Sequence, residues 1–171
     1  AISLSVQMVK QNGCHSGLEQ VEKQLLRLTH LEEALLLLSR IDAGILPLQK
    51  EEADVFTILV LAADHLQQLF ADAGICVDIP ECGEMMVVAD LDWTMEAVMN
   101  LMKNCIEHSG SKTVHCSYAH NPLYTNILIW DDGVGFLKED IPHLFERFYR
   151  GENAACGGIG IGLALAKEII E

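Results

Sequence analysis

Four stretches of this chain carry residue types whose spacing could do chemistry. The first is Asp131-Asp132-Gly133-Val134-Gly135, directly after the apolar run of residues 126–130. A carboxylate at a strand end can accept a hydrogen bond from an exocyclic amine, and the glycines let main chain approach a ligand closely. The same letters also make an ordinary turn. An EF-hand is excluded, because the remaining loop ligands are missing. The second is Gly157-Gly158-Ile159-Gly160-Ile161-Gly162, immediately before a helical pattern. Main-chain donors at a helix start, among small residues, suit an anion or a phosphate. This is not a P-loop, since no Gly-Lys-Ser/Thr follows. Nor is it a dinucleotide fingerprint, since the spacing differs and no strand precedes it. Without a ligand it reads as a hinge.

The third stretch is Asn100-Leu101-Met102-Lys103-Asn104-Cys105-Ile106-Glu107-His108-Ser109. Asn100, Asn104, Glu107 and His108 stand three or four apart, so they share one helix face. Two carboxamides there could take a metal and a phosphate oxygen. Magnesium keeps waters and substrate phosphates as ligands, so one protein oxygen can suffice. The bland alternative is an exposed polar face opposite Val98, Leu101, Met102 and Ile106. The fourth is Leu144-Phe145-Glu146-Arg147-Phe148-Tyr149-Arg150-Gly151. Phe145 and Phe148 could anchor a segment whose arginines face a phosphate. Core aromatics beside a solvated Arg pair are the commoner meaning of such a run.

These stretches need elements to position them. Residues 54–73 read as a helix with Asp54 as N-cap, and residues 92–108 as a second one opened by a capping Asp92. Strand patterns cover residues 74–79, 85–89, 112–118 and 123–130, the last two flanking the turn His120-Asn121-Pro122. Residues 139–150 read as helical in part, and 161–170 as a helix fed by the glycine run. Upstream, residues 1–11 form a helical stub that Asn12-Gly13 breaks. A longer helix follows over residues 18–42. Its stripe is Leu18, Val21, Leu25, Leu28, Leu31, Leu35, Leu38 and Ile41, one apolar face at steps of three and four. Such a face has to be covered, and a partner subunit is the expected cover. Ala43-Gly44 ends this helix and Pro47 stops any continuation, so residues 45–52 mark a boundary.

Composition narrows the function classes. The 171 residues are half apolar and carry 25 acidic against 11 basic side chains, a formal charge of −14. A chain this acidic does not suit nucleic acid or an anionic membrane surface, both of which are held by Lys and Arg. Basic residues near the fourth stretch, Arg147 and Arg150 with Lys167 beyond, make that end the better place for an anionic ligand. The six cysteines (14, 76, 82, 105, 116 and 156) show neither Cys-x-x-Cys nor zinc spacing and read as free thiols in a reducing compartment. No apolar run approaches the length that spans a bilayer. The chain opens and stops inside helical patterns and reads as an excised fragment.

The order of the four stretches is more specific than any one of them. An Asn-bearing helix, a strand ending in Asp-x-Gly-x-Gly, an aromatic-basic segment and a Gly-x-Gly-x-Gly helix start together resemble the ATP-binding domain of the two-component sensor histidine kinases. Leu38-Ser39-Arg40-Ile41-Asp42-Ala43-Gly44 looks like the end of that family's dimerisation hairpin. The resemblance implies an α+β chain: a partial helical hairpin over residues 1–46, then an α/β sandwich over 47–171 that holds nucleotide between helices and a lid.

It also implies roles. Asp131 matches the carboxylate that reads the adenine amino group, with Gly133 and Gly135 beside it. Asn104 matches the magnesium ligand and Asn100 the Asn one turn earlier. His108 falls where a side chain meets the phosphates, and Arg150 matches a basic residue near the γ-phosphate. Phe145 and Phe148 look like the aromatic anchors. Gly158, Gly160 and Gly162, with Leu163 next to them, match the lid-to-helix glycines, and residues 150–157 match the lid. The implied cofactors are ATP and Mg2+. The implied partners are a second copy, joined through the hairpin, and a response-regulator receiver domain. The implied place is the cytoplasmic side of a bacterial sensor.

Two departures stand out. The family's acceptor motif, a His followed by an acidic residue, is not in this sequence; His15 and His30 lack it and read as surface histidines. The fragment is therefore expected not to phosphorylate itself. Glu107 stands where many members carry Lys or Arg, and a carboxylate beside a triphosphate repels it unless a cation intervenes. The chain also stops before the closing strands that the family has. Two alternatives remain open on these grounds: a non-catalytic module that dimerises and binds nucleotide, and an ATPase of the type II topoisomerase or mismatch-repair kind.

Overall fold

The structure, a computed structural model, describes residues 15–45, 47–108, 110–151 and 159–170. The expected helical stub over residues 1–11 lies outside them. The chain divides into two compact units, Ala1–Ile45 and Leu46–Glu171. In the first unit a single helix, α1, runs over His15–Asp42. It starts three residues before the apolar stripe does. Gly44 closes it in the left-handed region (φ 63°), with Gly44 N–H donating to Ile41 O at 2.9 Å and Ile45 N–H to Arg40 O at 3.1 Å. This pair satisfies the last carbonyls of the helix, and glycine takes the positive φ without a Cβ clash. Val21, Leu28 and Leu35 of the stripe remain 41–59% exposed, whereas Leu38 is buried.

The second unit is a two-layer α/β sandwich. Its elements are β1 (Lys50–Asp54), α2 (Val55–His65), α3 (Gln67–Ala73), β2 (Cys76–Asp78), β3 (Met86–Asp90), α4 (Leu91–His108), β4 (Thr113–His120), β5 (Thr125–Asp131), a 3-10 turn (Ile141–His143) and α5 (Gly162–Ile170). β1 and β3 form an antiparallel ribbon in the register Glu52 opposite Val88. A second sheet has the order β2-β4-β5, with β2 parallel and β5 antiparallel to β4. The period of two in β4 turns Val114, Cys116 and Tyr118 inward. From β5, Ile127 and Ile129 join them. Onto this surface fall Val55, Ile58, Leu59 and Ala62 of α2 and Val98, Met102, Cys105 and Ile106 of α4. Steps of three and four put each helical set on one face. α5 packs along α4 and buries Ala164, Leu165 and Ala166.

Four local expectations are corrected. The boundary segment contains β1, a strand whose letters, Lys-Glu-Glu-Ala-Asp, carry no β-former; only its pairing with β3 makes it one. The helix expected over residues 54–73 breaks at Leu66 (φ −97°, ψ 6°). There Leu66 N–H donates to Ala63 O, a tightened turn that neither glycine nor proline announces. The cap of α4 is Asp90 rather than Asp92, because Asp90 Oδ1 accepts from Trp93 N–H at 3.1 Å and the helix begins at Leu91. Between residues 139 and 150 the helical part shrinks to the turn Ile141–His143, with Pro142 in its first positions.

Asp54 caps α2 as expected, and does more. Its Oδ2 accepts from Thr57 N–H at 3.0 Å, while its Oδ1 accepts from Met85 N–H at 3.0 Å. One carboxylate thus joins the start of a helix to the chain entering β3. The Met85 N–H first, and the Thr57 N–H second, hold its pKa below the ordinary 3.8. A depressed carboxyl contributes stability above its unfolded pKa and loses it as pH falls through the folded one. Replacement Asp54→Ala is therefore expected to lower the thermal midpoint at neutral pH. The gap from wild type should close as pH drops below about 3.8. Scanning both proteins across that range checks it. Met102 is fully buried between the helical layer and the sheet. Met102→Ala is expected to cost about 2–5 kcal/mol in urea unfolding, the range for a buried large-to-small change.

Candidate functional site

Three of the four stretches converge on α4. The apolar face of this helix is held by the core, so its polar face is fixed in direction. Asn100 and Asn104 are half-buried. Asn100 Nδ2 donates to Glu96 O at 3.0 Å and to Glu96 Oε1 at 3.2 Å, which leaves its Oδ1 as an acceptor. That oxygen lies against the start of α5: a side chain on Gly162 would meet it at 3.2 Å. The Asn104 carboxamide makes no hydrogen bond to another described residue. Oxygens of this hard, neutral kind fit magnesium, which takes few protein ligands and keeps waters. Among the described residues no three His, Cys, Asp or Glu side chains are grouped to hold a metal by themselves.

Asp131 is the last residue of β5 and is half-buried. Its Oδ1 accepts from Gly133 N–H at 2.8 Å, which curls the chain into the turn that Gly135 continues at φ 68°. Behind it lies Cys105, one residue beyond Asn104 on α4. Burial, and then the hydrogen bond and charge of Asp131, push the Cys105 thiol up to about 12. The thiol stays protonated at neutral pH and donates to the carboxylate. No second anion therefore faces Asp131 from this side, and an ionised carboxylate still has lone pairs to accept from a ligand. Cys105 entered the sequence reading only as a free thiol; nothing in its spacing signalled a partner on β5.

The neighbouring Asp132 is tied down differently. Its N–H donates to Ser111 Oγ at 3.3 Å, and its Oδ2 lies 3.0 Å from His115 Nε2. The other ring nitrogen of His115 is 3.3 Å from Asp78 Oδ2, and Trp130 stacks on the ring at 5.4 Å. The Asp132 bond first, and the Asp78 bond second, raise the His115 pKa. This outer brace holds the turn that follows Asp131 from the side opposite α4.

The aromatic-basic segment meets the glycine run at its far end. Phe148 N–H donates to Gly160 O at 2.7 Å. Gly160 (φ 76°) lies so close to the Tyr149 carbonyl that a Cβ could not fit. Phe148 itself has φ 67°, a conformation rare for a residue with a side chain. The Phe145 and Phe148 side chains are 50% and 54% exposed. Anchoring runs instead through the Phe148 main chain and through Tyr149, whose hydroxyl donates to Asp140 Oδ1 at 2.6 Å. Arg147 pairs with Glu168 of α5 at 3.2 Å.

The structure thus brings Asp131, with Gly133 bonded to it, against α4 at Cys105, next to Asn104, and brings Gly162, preceded by Gly160 and followed by Leu163 at the start of α5, against Asn100. His108 ends α4 with Glu107 Oε2 at 3.9 Å, and no described contact joins it to Asp131 or to the glycines. Arg150 follows Tyr149 and is exposed. Gly158 and most of the expected lid lie outside the described residues. Among those residues no helix is long and apolar enough to cross a membrane.

The family described as histidine kinase-, DNA gyrase B- and HSP90-like ATPase matches residues 89–171, which takes in α4, β5 and α5. The sensor histidine kinase YclK of Bacillus subtilis is 28% identical over 166 residues, 95% of this chain and 34% of that protein. The chain thus spans about a third of that relative's length. The solved structure of the Acinetobacter baumannii histidine kinase AdeS superposes with a TM-score of 0.75 at 22% identity, over 99% of this chain and 81% of that one. Full-length ShkA, solved in complex with AMPPNP, superposes at 0.70 with 19% identity, over 90% of this chain and 32% of that one. Residues 89–171 thus match the histidine kinase-, DNA gyrase B- and HSP90-like ATPases, and the chain carries an ATP-binding region of the sensor histidine kinase type.

Proposed function

We propose that this chain binds Mg-ATP beside α4 and transfers the γ-phosphate to a histidine of a dimerisation helix, for relay to an aspartate of a response regulator. The observation that carries this reading is the convergence on α4: Asp131 lies against Cys105, and the start of α5 lies against Asn100. This supports reading Asp131 as the base-reading carboxylate and the start of α5 as the phosphate-facing end, with the carboxamides of Asn100 and Asn104 on the helix that both touch.

Asp131 would accept from the adenine amino group, with the Gly133–Gly135 turn leaving room for the ring. Asn104, with Asn100 one turn earlier, would hold the magnesium, whose charge offsets that of the phosphates. The N-terminus of α5 would face the phosphate oxygens with main-chain donors. His108 and Arg150 would meet the phosphates, Arg150 at the γ position. Phe145 and Phe148 stand along the edge of the same segment. Phosphoryl transfer then depends on positioning and charge neutralisation. The acceptor imidazole must present a free lone pair; the bond to the ADP oxygen breaks as the phosphorus–nitrogen bond forms. We place the acceptor outside this sequence and read its dimer partner as a second copy. The exposed Val21, Leu28 and Leu35 of α1 support that partner. A receiver domain as second partner, and a cytoplasmic place, rest on the likeness to sensor kinases such as YclK.

One observation favours a non-catalytic nucleotide-binding module instead: Glu107 lies beside His108, where its charge repels a triphosphate. Two experiments separate the readings. Calorimetric titration of the chain should show saturable ATP binding, and Asp131→Asn should weaken it by roughly ten- to a hundredfold, the scale of one lost charge-assisted bond. Chelation of magnesium with EDTA should weaken ATP binding more than adenosine binding. Transfer of labelled γ-phosphate to a longer chain that includes an acceptor histidine then supports the kinase. ATP binding without transfer by that longer chain supports the module. A folded chain that binds no ATP overturns both.

A further inference from the structure

Arg150 is flanked by two residues that share one carboxylate. Asp140 stands just before the turn Ile141–His143. Its Oδ1 accepts from the Tyr149 hydroxyl at 2.6 Å, the length of a charge-assisted bond. Its other oxygen, Oδ2, lies over Gly151 in the place that a Cβ would fill. Asp140 is thus bonded to residue 149 and packed over residue 151, and residue 150 lies between them. The grip has its own supports. Asp140 N–H donates to Leu137 O at 3.0 Å and His143 N–H to Asp140 O at 2.9 Å, so the carboxylate comes from a fixed turn. The His143 ring lies 5.2 Å from that of Tyr149. On the far side, Phe148 N–H is bound to Gly160 O. An arginine on a loop loses several rotatable bonds of freedom when it meets a phosphate, and a fixed main chain reduces that cost.

We propose that Asp140 is a positioning residue for Arg150: through Tyr149 and Gly151 it sets the main chain from which Arg150 reaches the terminal phosphate of ATP. This rests on the γ-phosphate role given to Arg150 above. Asp140 itself touches no phosphate. Its charge is spent on the Tyr149 hydroxyl, and Gly151 is glycine because the other oxygen leaves no space for a side chain.

The test compares ATP and ADP affinity by calorimetry in magnesium on the full chain. A purely structural Asp140 would weaken both nucleotides alike. A positioning Asp140 weakens ATP alone, because ADP lacks the phosphate that Arg150 meets. Wild type is expected to prefer ATP, and Arg150→Ala to remove that preference. Asp140→Ala and Tyr149→Phe are expected to cut it by about five- to tenfold with ADP affinity nearly unchanged, the effect of one lost charged hydrogen bond acting through a neighbour. Asp140→Asn keeps an oxygen toward the hydroxyl and is expected to recover most of the preference. In the double variant Asp140→Ala/Arg150→Ala no further loss is expected, since the two act as one unit. Tyr149→Phe removes one atom and carries the test where Asp140→Ala does not fold. Equal weakening of ATP and ADP in Tyr149→Phe, or an intact preference there while Arg150→Ala loses it, overturns the inference. An intact preference in Arg150→Ala overturns the role of Arg150 and the inference with it, and leaves nucleotide binding itself standing.

Discussion

The seating of α4 on the sheet is the constraint from which the rest of the site follows. Val98, Met102, Cys105 and Ile106 are buried against α2 and β4, and Met102 admits no solvent at all. A helix turns by about 100° per residue, so fixing that face fixes the bearing of Asn100 and Asn104 as well. The two carboxamides take their direction from this seating, and the bonds of Asn100 to Glu96 use only its Nδ2. Burial of four apolar side chains orients them, at no cost to their free oxygens. The same seating brings Cys105 under Asp131, so a core contact also sets the height of the strand-end carboxylate relative to the asparagines. Rotating α4 by even one position would bury an asparagine and disconnect three stretches of sequence at once.

Electrostatics then decides what such a site can accept. The chain carries a formal charge of −14, and the surroundings of α4 add Asp131, Asp132 and Glu107. On the proposed function a bare triphosphate would be repelled here, and a bound cation would offset that charge. The protein limits the repulsion locally. Cys105 is kept as a neutral thiol by its burial and by Asp131. Asp132 is turned to His115, whose raised pKa favours the imidazolium that neutralises it. As pH rises through that pKa the brace loses its charge, and its contribution declines from the fully protonated limit below 6.5. Glu168 and Asp140 are likewise engaged, by Arg147 and Tyr149. Glu107 has only His108 beside it, at 3.9 Å, and it remains the one carboxylate of this group without a close partner among the described residues.

Much of this was legible in the sequence, for physical reasons that differ by element. The apolar period of residues 92–108 and the alternation in β4 reflect burial on one face, which composition records directly. The Gly-x-Gly-x-Gly stretch marks a place where main chain must pass without a Cβ, as at Gly160 under the Tyr149 carbonyl, and the Asp-x-Gly-x-Gly stretch marks a turn with Gly135 at positive φ. What was not legible depends on partners far along the chain. β1 is a run of charged letters that becomes a strand because β3 lies beside it. The break at Leu66 is a tightened turn with no residue there that breaks helices. Asp90 takes the capping role from Asp92 because β3 delivers it to the helix start. Tyr149 and Asp140 lie nine residues apart with no periodic relation, so their bond follows only from the turns between them.

Strain at Phe148 closes the argument. A left-handed conformation at a phenylalanine costs about 1–3 kcal/mol and persists only where neighbours over-determine it. Here the neighbours are identifiable. Phe148 N–H is bound to Gly160 O, the Tyr149 carbonyl is packed on Gly160, and the Tyr149 hydroxyl is bound to Asp140. The turn cannot relax at Phe148 without breaking the first of these bonds and moving the other two. The chain at Tyr149 and the chain at Gly160 are consequently held at one point, which keeps the main chain before Arg150 in register with the start of α5.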